Sequence, residues 1–244
     1  MLKLLEYDLR RRRERILVFI VIALLIQAGM WISSATVDIG LLSLNLAGYY
    51  VLAIALVFVA VAGYFRNLKS YQRQLLPVTA LQTVLSPMLL ALLLIGGVII
   101  LGLVHLGIYR LLYPLDFLPG NLLTVGFQVI LRSIWSTGFL MVMVMFSITV
   151  ALSLRMKWRI WIGVVILFLL ENGIGYLERA LFGTYFIALD KVFNFEIYPG
   201  NLQSGSGFTI EYAAANPGAL LFELAAVCLM IYGMAVLVKK RIEV

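Results

Sequence analysis

Residues 88–109 read MLLALLLIGGVIILGLVHLGIY and contain no Asp, Glu, Lys or Arg. At 1.5 Å per residue, a helix of this length extends about 33 Å, close to the roughly 30 Å hydrocarbon core of a bilayer. A transmembrane β-barrel is excluded, because its strands alternate apolar and polar residues over about ten positions. The segment therefore predicts a membrane-spanning helix, and we extend it to 86–109 so that Pro87 lies in its first turn.

Five further segments are almost as apolar and as long. They are residues 16–35, 46–64, 133–154, 160–177 and 219–238. The whole chain of 244 residues is 63% apolar and 13% charged, which excludes a soluble globular protein and a disordered chain. One Cys and one His exclude an internal disulfide and a His/Cys structural zinc site. We predict an all-α polytopic membrane protein with six transmembrane helices, forming a single domain over residues 1–244.

Basic residues indicate the orientation of the spans. Fifteen of the 19 Lys and Arg residues fall in segments 1–15, 66–85, 155–159 and 239–244, which all lie on the same side of six spans. The positive-inside rule places this side, and with it both termini, in the cytoplasm. The net charge of +7 is therefore read as a topology signal of a multi-pass protein of the cytoplasmic (plasma) membrane. A cleavable signal peptide is the alternative reading of the first span.

Residues 1–15 and residues 66–76 each predict an amphipathic helix. In the first, Leu2, Leu5 and Leu9 recur on one face, typical of an interfacial helix in the headgroup layer; the alternative is a charged flank that only sets topology. In the second, one face carries Leu68, Tyr71 and Leu75 and the neighbouring face carries Arg66, Lys69 and Arg73. Pro77 should end this helix after Leu76. It could dock another protein or lie on the lipid surface.

Residues 178–218 form a long outer loop that is rich in aromatic residues. This composition suggests short helices that lie on the membrane or dip into it. No P-loop, G-x-S-x-G or H-E-x-x-H motif occurs in the chain, so we predict no catalytic, cofactor or metal site in it.

Charged residues inside the spans are costly in a bilayer and are candidates for function. Arg132, Glu171 and Glu223 are placed in the outer half of their spans, where they could pair with one another or line a translocation path. Snorkelling at the boundary is the simpler alternative. His105 is expected to pack between helices. An intramembrane enzyme would have Glu171, Glu178 and His105 as its acid–base set.

Several segments resemble the permease subunit of type-2 ABC exporters, the ABC-2 family. Residues 1–10, MLKLLEYDLR, resemble the family's cytoplasmic elbow helix. Residues 74–79, QLLPVT, resemble its Leu-Leu-x-Leu-Pro-Val-Ser segment between spans two and three. Six spans with both termini inside, and a long loop before the sixth span that resembles the family's outer re-entrant helices, complete the resemblance.

The resemblance implies a function for the cytoplasmic helix 66–76. It would be the coupling helix that docks into a separate ABC ATPase subunit, present in two copies and carrying the ATP-Mg that this chain does not bind. The coupling residues would be Arg66, Leu68, Lys69, Tyr71, Arg73, Leu75, Leu76 and Pro77. A second permease subunit, identical or related, would complete the path, and an amphipathic or hydrophobic peptide, lipid or drug would move outward. The alternatives are the intramembrane enzyme and a non-transporting assembly or sensor subunit.

Overall fold

The computed structural model describes residues 2–33, 39–69, 79–112, 122–154, 158–183, 195–199, 208–212 and 216–242. Within them, six helices are long and apolar enough to cross a membrane. They are α1 (Leu2–Ser33), α2 (Ile39–Lys69), α3 (Ala80–Leu112), α4 (Leu122–Ser153), α5 (Arg159–Phe182) and α6 (Pro217–Leu237), which continues into a π-helical turn at Val238–Ile242. The prediction of a helical multi-pass membrane protein is confirmed at this level.

The helices extend beyond the apolar runs on which they were predicted. α1 is continuous from Leu2 to Ser33, so the separate interfacial helix predicted over 1–15 is not found; its residues are the first turns of α1. No Gly or Pro interrupts residues 2–28, and Leu, Arg and Glu are good helix formers. In the same way α4 begins at Leu122 rather than at 133, and α5 ends at Phe182 rather than at 177.

Capping residues determine several of these ends. The Thr79 hydroxyl accepts from the Gln82 amide at 3.3 Å, and the Gln82 side chain accepts from the Thr79 amide at 3.1 Å. This capping box starts α3 at Ala80, so Pro87 lies inside α3 and not in its first turn as predicted. Asn216 caps α6 by accepting from the Gly218 amide at 2.9 Å. Gly183, with φ of 69°, ends α5 in the left-handed conformation that Gly adopts most readily.

Two short strands replace helices that were expected in the outer loop. β1 (Phe195–Pro199) and β2 (Phe208–Tyr212) pair antiparallel, with Phe195 opposite Tyr212 and Pro199 opposite Phe208. Both strands are rich in aromatic and β-branched residues, which favour a pleated strand. The Gly-rich sequence between them, residues 200–207, is typical of a hairpin connection. The expectation of short helices is therefore wrong for residues 195–199 and 208–212.

The core lies among α2, α3, α4 and α6. Tyr64 of α2 is fully buried, and its hydroxyl is 2.6 Å from Thr149 Oγ1 of α4 and 3.9 Å from Met234 Sδ of α6. α5 is peripheral, because Glu178 is the one buried residue along it. The large apolar side chains of α1 and α5 are mostly exposed to the space that a bilayer would fill.

Replacing Tyr64 with Phe should lower the free energy of unfolding by about 1 kcal/mol, because a buried hydrogen bond is lost. The measurement is thermal unfolding in detergent micelles. Tyr232→Phe is the matched control, since Tyr232 is 71% exposed on α6 and its loss should leave the transition unchanged. Equal effects of the two substitutions would contradict the role assigned to the Tyr64 hydroxyl.

Candidate functional site

Two charged side chains of α1 are buried where α1, α2 and α3 meet. Asp8 and Arg12 are 0% and 8% exposed, and Arg12 Nη2 lies 3.6 Å from Asp8 Oδ1. Asn67 of α2 donates to Asp8 Oδ1 at 3.5 Å, and Ser86 of α3 donates to Asp8 Oδ2 at 3.2 Å. A buried carboxylate is tolerated only when it is paired and hydrogen-bonded. We name Asp8, Arg12, Asn67 and Ser86 the Asp8 junction.

The Arg12 guanidinium lies directly against the backbone of α2. Its Nη1 donates to the Ala60 carbonyl at 3.4 Å. A Cβ added at Gly63 would stand 1.8 Å from Arg12 Cζ, so a larger residue at this position would displace the guanidinium from its present place. Gly63 is therefore part of the site, although it has no side chain that could make a polar contact.

The Asp8 junction was not predicted, because the sequence pattern drew attention only to the stripe of Leu2, Leu5 and Leu9. Leu5 and Leu9 are partly buried against the core, and the most buried positions of this part of α1 are Leu4, Asp8, Arg12 and Ile16, spaced by four residues. An Asp followed by an Arg four residues later, between two apolar residues at the same spacing, was the available signal.

The predicted coupling residues fall partly on α2. Arg66, Leu68 and Lys69 form its last turn: Arg66 and Lys69 are exposed, and Leu68 is 5% exposed. Lys69 Nζ lies 3.9 Å above the Phe65 ring. A separate helix beginning at 66 is therefore not found, since α2 continues through these residues. The remaining coupling residues, Tyr71, Arg73, Leu75, Leu76 and Pro77, lie outside the described residues.

A second cluster of charges lies at the opposite ends of three other helices. Glu178 of α5 and Glu223 of α6 are 1% and 0% exposed and lie within hydrogen-bonding reach of each other, with Arg132 of α4 near enough to attract Glu223. The Trp135 indole N–H donates to Glu223 Oε2. We name Arg132, Trp135, Glu178 and Glu223 the outer charge cluster.

Glu223 is the central residue of the outer charge cluster. Its Oε2 accepts from the Trp135 indole N–H, whereas its Oε1 is buried without a hydrogen-bond partner among the described residues. Buried charges are tolerated when an opposite charge lies nearby, and Arg132 of α4 supplies that charge.

The structure does not bring the three predicted intramembrane charges together at one place, and a role in a translocation path stays a prediction. Arg132 and Glu223 are brought together, whereas Glu171 is exposed on α5. Glu178 occupies the place expected for Glu171. The two residues are seven positions apart on the same face of α5, about 10 Å along its axis, and burial at Glu178 depends on α4 and α6, which residue spacing alone does not reveal.

A third polar group joins α1, α2 and α3 at the end opposite to the Asp8 junction. His105 Nδ1 is 2.5 Å from the Tyr49 hydroxyl, and the His105 ring stacks on Tyr109 at 4.9 Å. Asn45 donates to the Tyr109 hydroxyl at 2.9 Å, and Gln27 donates to the Asn45 carbonyl at 3.0 Å. His105 thus packs between helices, as expected from the sequence.

The residues proposed as an alternative acid–base set do not share a site. His105 contacts residues of α1, α2 and α3, Glu178 lies in the outer charge cluster, and Glu171 is exposed. Among the residues that the structure describes, no group of three or more His, Cys, Asp or Glu side chains could hold a metal ion.

Gly63→Ala should destabilise the protein by about 1–3 kcal/mol, because the new methyl group displaces Arg12 from its buried partners. Gly97→Ala is the control, since no atom lies within 4 Å of a Cβ added there. The control should be neutral or stabilising by up to about 1 kcal/mol through better helix propensity. Thermal unfolding in detergent measures both variants, and a stabilising Gly63→Ala would refute the contact with Arg12.

Glu223→Met should destabilise by about 1–3 kcal/mol, because it leaves the half-buried Trp135 N–H without its acceptor. Glu223→Gln retains an acceptor oxygen and should keep most of the stability. Glu171→Met is the matched control on an exposed glutamate and should not lower the unfolding temperature. If Glu223→Met behaves like Glu171→Met, Glu223 does not hold the three helices together.

Comparisons with protein families, with curated proteins and with solved structures find no match to this chain. The function must therefore be argued from the chemistry and placement of the Asp8 junction and the outer charge cluster. In the part of the chain that the structure describes, six helices are long and apolar enough to cross a membrane, and charged side chains are buried at the Asp8 junction and in the outer charge cluster, toward opposite ends of these helices.

Proposed function

We propose that this chain is the membrane-spanning permease subunit of an ATP-driven exporter of the cytoplasmic membrane, powered by a separate ABC ATPase. The observation that carries the proposal is the position of the Asp8 junction. Asn67 lies two residues before the end of α2, and Ser86 lies near the start of α3. The junction therefore joins both helices that flank the segment 70–79, in which most of the predicted coupling residues lie.

A movement imposed on this segment would reach three helices together. α2 ends where the segment begins, and α3 begins where it ends. α1 is tied to both helices through Asp8. Closely packed interiors respond to displacement as connected bodies rather than by local deformation. A partner that pulls on segment 70–79 would thus move α1, α2 and α3 together.

The charges at the end of α2 support docking of an acidic partner surface. Arg66 and Lys69 are exposed at this end, and Arg73 follows in the sequence. Complementary charge accelerates and orients association. The partner in the proposal is the ATPase subunit, in two copies, which would bind the ATP-Mg and drive the change of state through its differential affinity for the two conformations.

Glu171 supports a second permease subunit, identical or related. It is exposed on α5 among large apolar side chains such as Phe168 and Leu169. A charge at mid-bilayer costs about 2.5–3.5 kcal/mol on insertion scales, so a polar surface of another subunit, or a path between the two subunits, is its natural neighbour. An amphipathic peptide, lipid or drug is the proposed substrate.

Transport should be lost, by more than about tenfold, when Arg66, Lys69 and Arg73 are all changed to Glu, because the docking surface would then repel the ATPase. The assay is ATP-dependent movement of a fluorescent amphipathic probe in proteoliposomes that contain the chain and the ATPase that co-purifies with it. The control is Lys239→Glu with Lys240→Glu, which alters exposed basic residues on the same predicted side.

Binding and transport are scored separately in this experiment. The triple variant should lose the ATPase during purification, while the control should keep both the ATPase and transport. Normal transport by the triple variant would overturn the coupling surface. Absence of a co-purifying ATPase, or of ATP-dependent movement in the wild type, would overturn the permease proposal in favour of an assembly or sensor subunit.

A further inference from the structure

An apolar groove of about 340 Å³ lies between α4 and α5, at the end of these helices that the short connection 155–157 joins. Its walls include Ile148 of α4 and Val164 and Leu167 of α5, and Phe65 of α2 contributes to its lining. The groove is open to the outside of the helix bundle, since Ile160 and Val164 on its wall are 72% and 54% exposed. A hydrocarbon chain of the bilayer can therefore enter it from the side.

Cations border this apolar groove. Arg159 lines it and is exposed. Phe65, which also lines it, has the ammonium group of Lys69 3.9 Å above its ring. A site with an apolar trough and cations at one end has the chemistry of a lipid with a negatively charged headgroup.

The neighbouring aromatic residues place this end at the membrane surface. Trp158 and Trp161 flank Arg159 and are both exposed. Trp side chains collect at the level of the lipid headgroups. An anion bound by Arg159 would then lie at headgroup depth, with its acyl chain directed along α5 into the groove.

We propose that the groove between α4 and α5 is a binding site for one anionic phospholipid of the leaflet on the basic side of the protein, with its phosphate at Arg159 and one acyl chain against Ile148, Val164 and Leu167. Lys69 is shared with the predicted ATPase-docking surface, but the lipid site does not depend on the permease proposal. A bound lipid would fill the space on one side of α5, the helix that is least buried in the bundle.

Native mass spectrometry of the full chain tests this proposal. The chain is reconstituted in bilayers of phosphatidylglycerol or phosphatidylcholine, and the lipid molecules that it retains after release from the bilayer are counted. We expect one retained phosphatidylglycerol and weaker retention of phosphatidylcholine. Arg159→Gln should lower phosphatidylglycerol binding by about fivefold, the contribution of one cation at a membrane surface, and reduce the headgroup preference. Val164→Trp fills the groove and should abolish retention of either lipid.

Two matched controls exclude general effects of charge and bulk. Arg110→Gln removes an exposed cation from the far end of α3, and Ile100→Trp adds bulk on an exposed face of α3; both should bind lipid as the wild type does. Unfolding temperature in detergent establishes that Val164→Trp is folded. Equal retention of the two lipids by the wild type, or full retention by folded Val164→Trp, would overturn the proposal. Loss of a dimer with unchanged lipid binding in Val164→Trp would also overturn it and assign the groove to a second copy of the chain.

Discussion

A polar group inside a bilayer has no water to bind, so it must be satisfied within the protein. This constraint accounts for the partners of the two most buried acidic side chains discussed above, Asp8 and Glu223. Asp8, the most enclosed charge of α1, has partners on three helices. Glu223 has partners on α4 and α5. In each case the charge lies at a place where three helices meet, because no single neighbouring helix supplies enough donors.

The polar contacts give specificity that the apolar core lacks. Leu, Val and Ile can interdigitate in many registers, and lipid chains are as apolar as they are, so burial alone barely favours one helix arrangement in a membrane. The Asp8 junction accepts one register of α1 against α2, since the guanidinium needs the gap at Gly63. Tyr64 and Thr149 do the same between α2 and α4. Apolar residues thus bring the helices into the membrane, and a few hydrogen bonds select how they pack.

The sequence predicts the six spans well, because each is a sum over about 20 residues, and single exceptions such as Glu171 or His105 hardly change it. It predicts helix ends poorly, since a segment rich in Leu and Arg continues a helix beyond the apolar run, as in the first turns of α1. Which glutamate of α5 is buried depends on whether α4 and α6 cover that turn. The pairing of β1 with β2 was missed because a count of aromatic residues does not distinguish strands from interfacial helices.

The contacts of α5 follow from the same constraint. Its first half borders the groove beside α4, where Gly163 allows Ala151 to approach closely, and Glu178 is buried in its last turns. Leu167, Leu170 and Ile174 pack against the core, whereas other large side chains of α5 face outward. Apolar contacts of this kind are about as favourable with lipid as with protein. The buried Glu178 is therefore the contact that most clearly distinguishes one position of α5 from another.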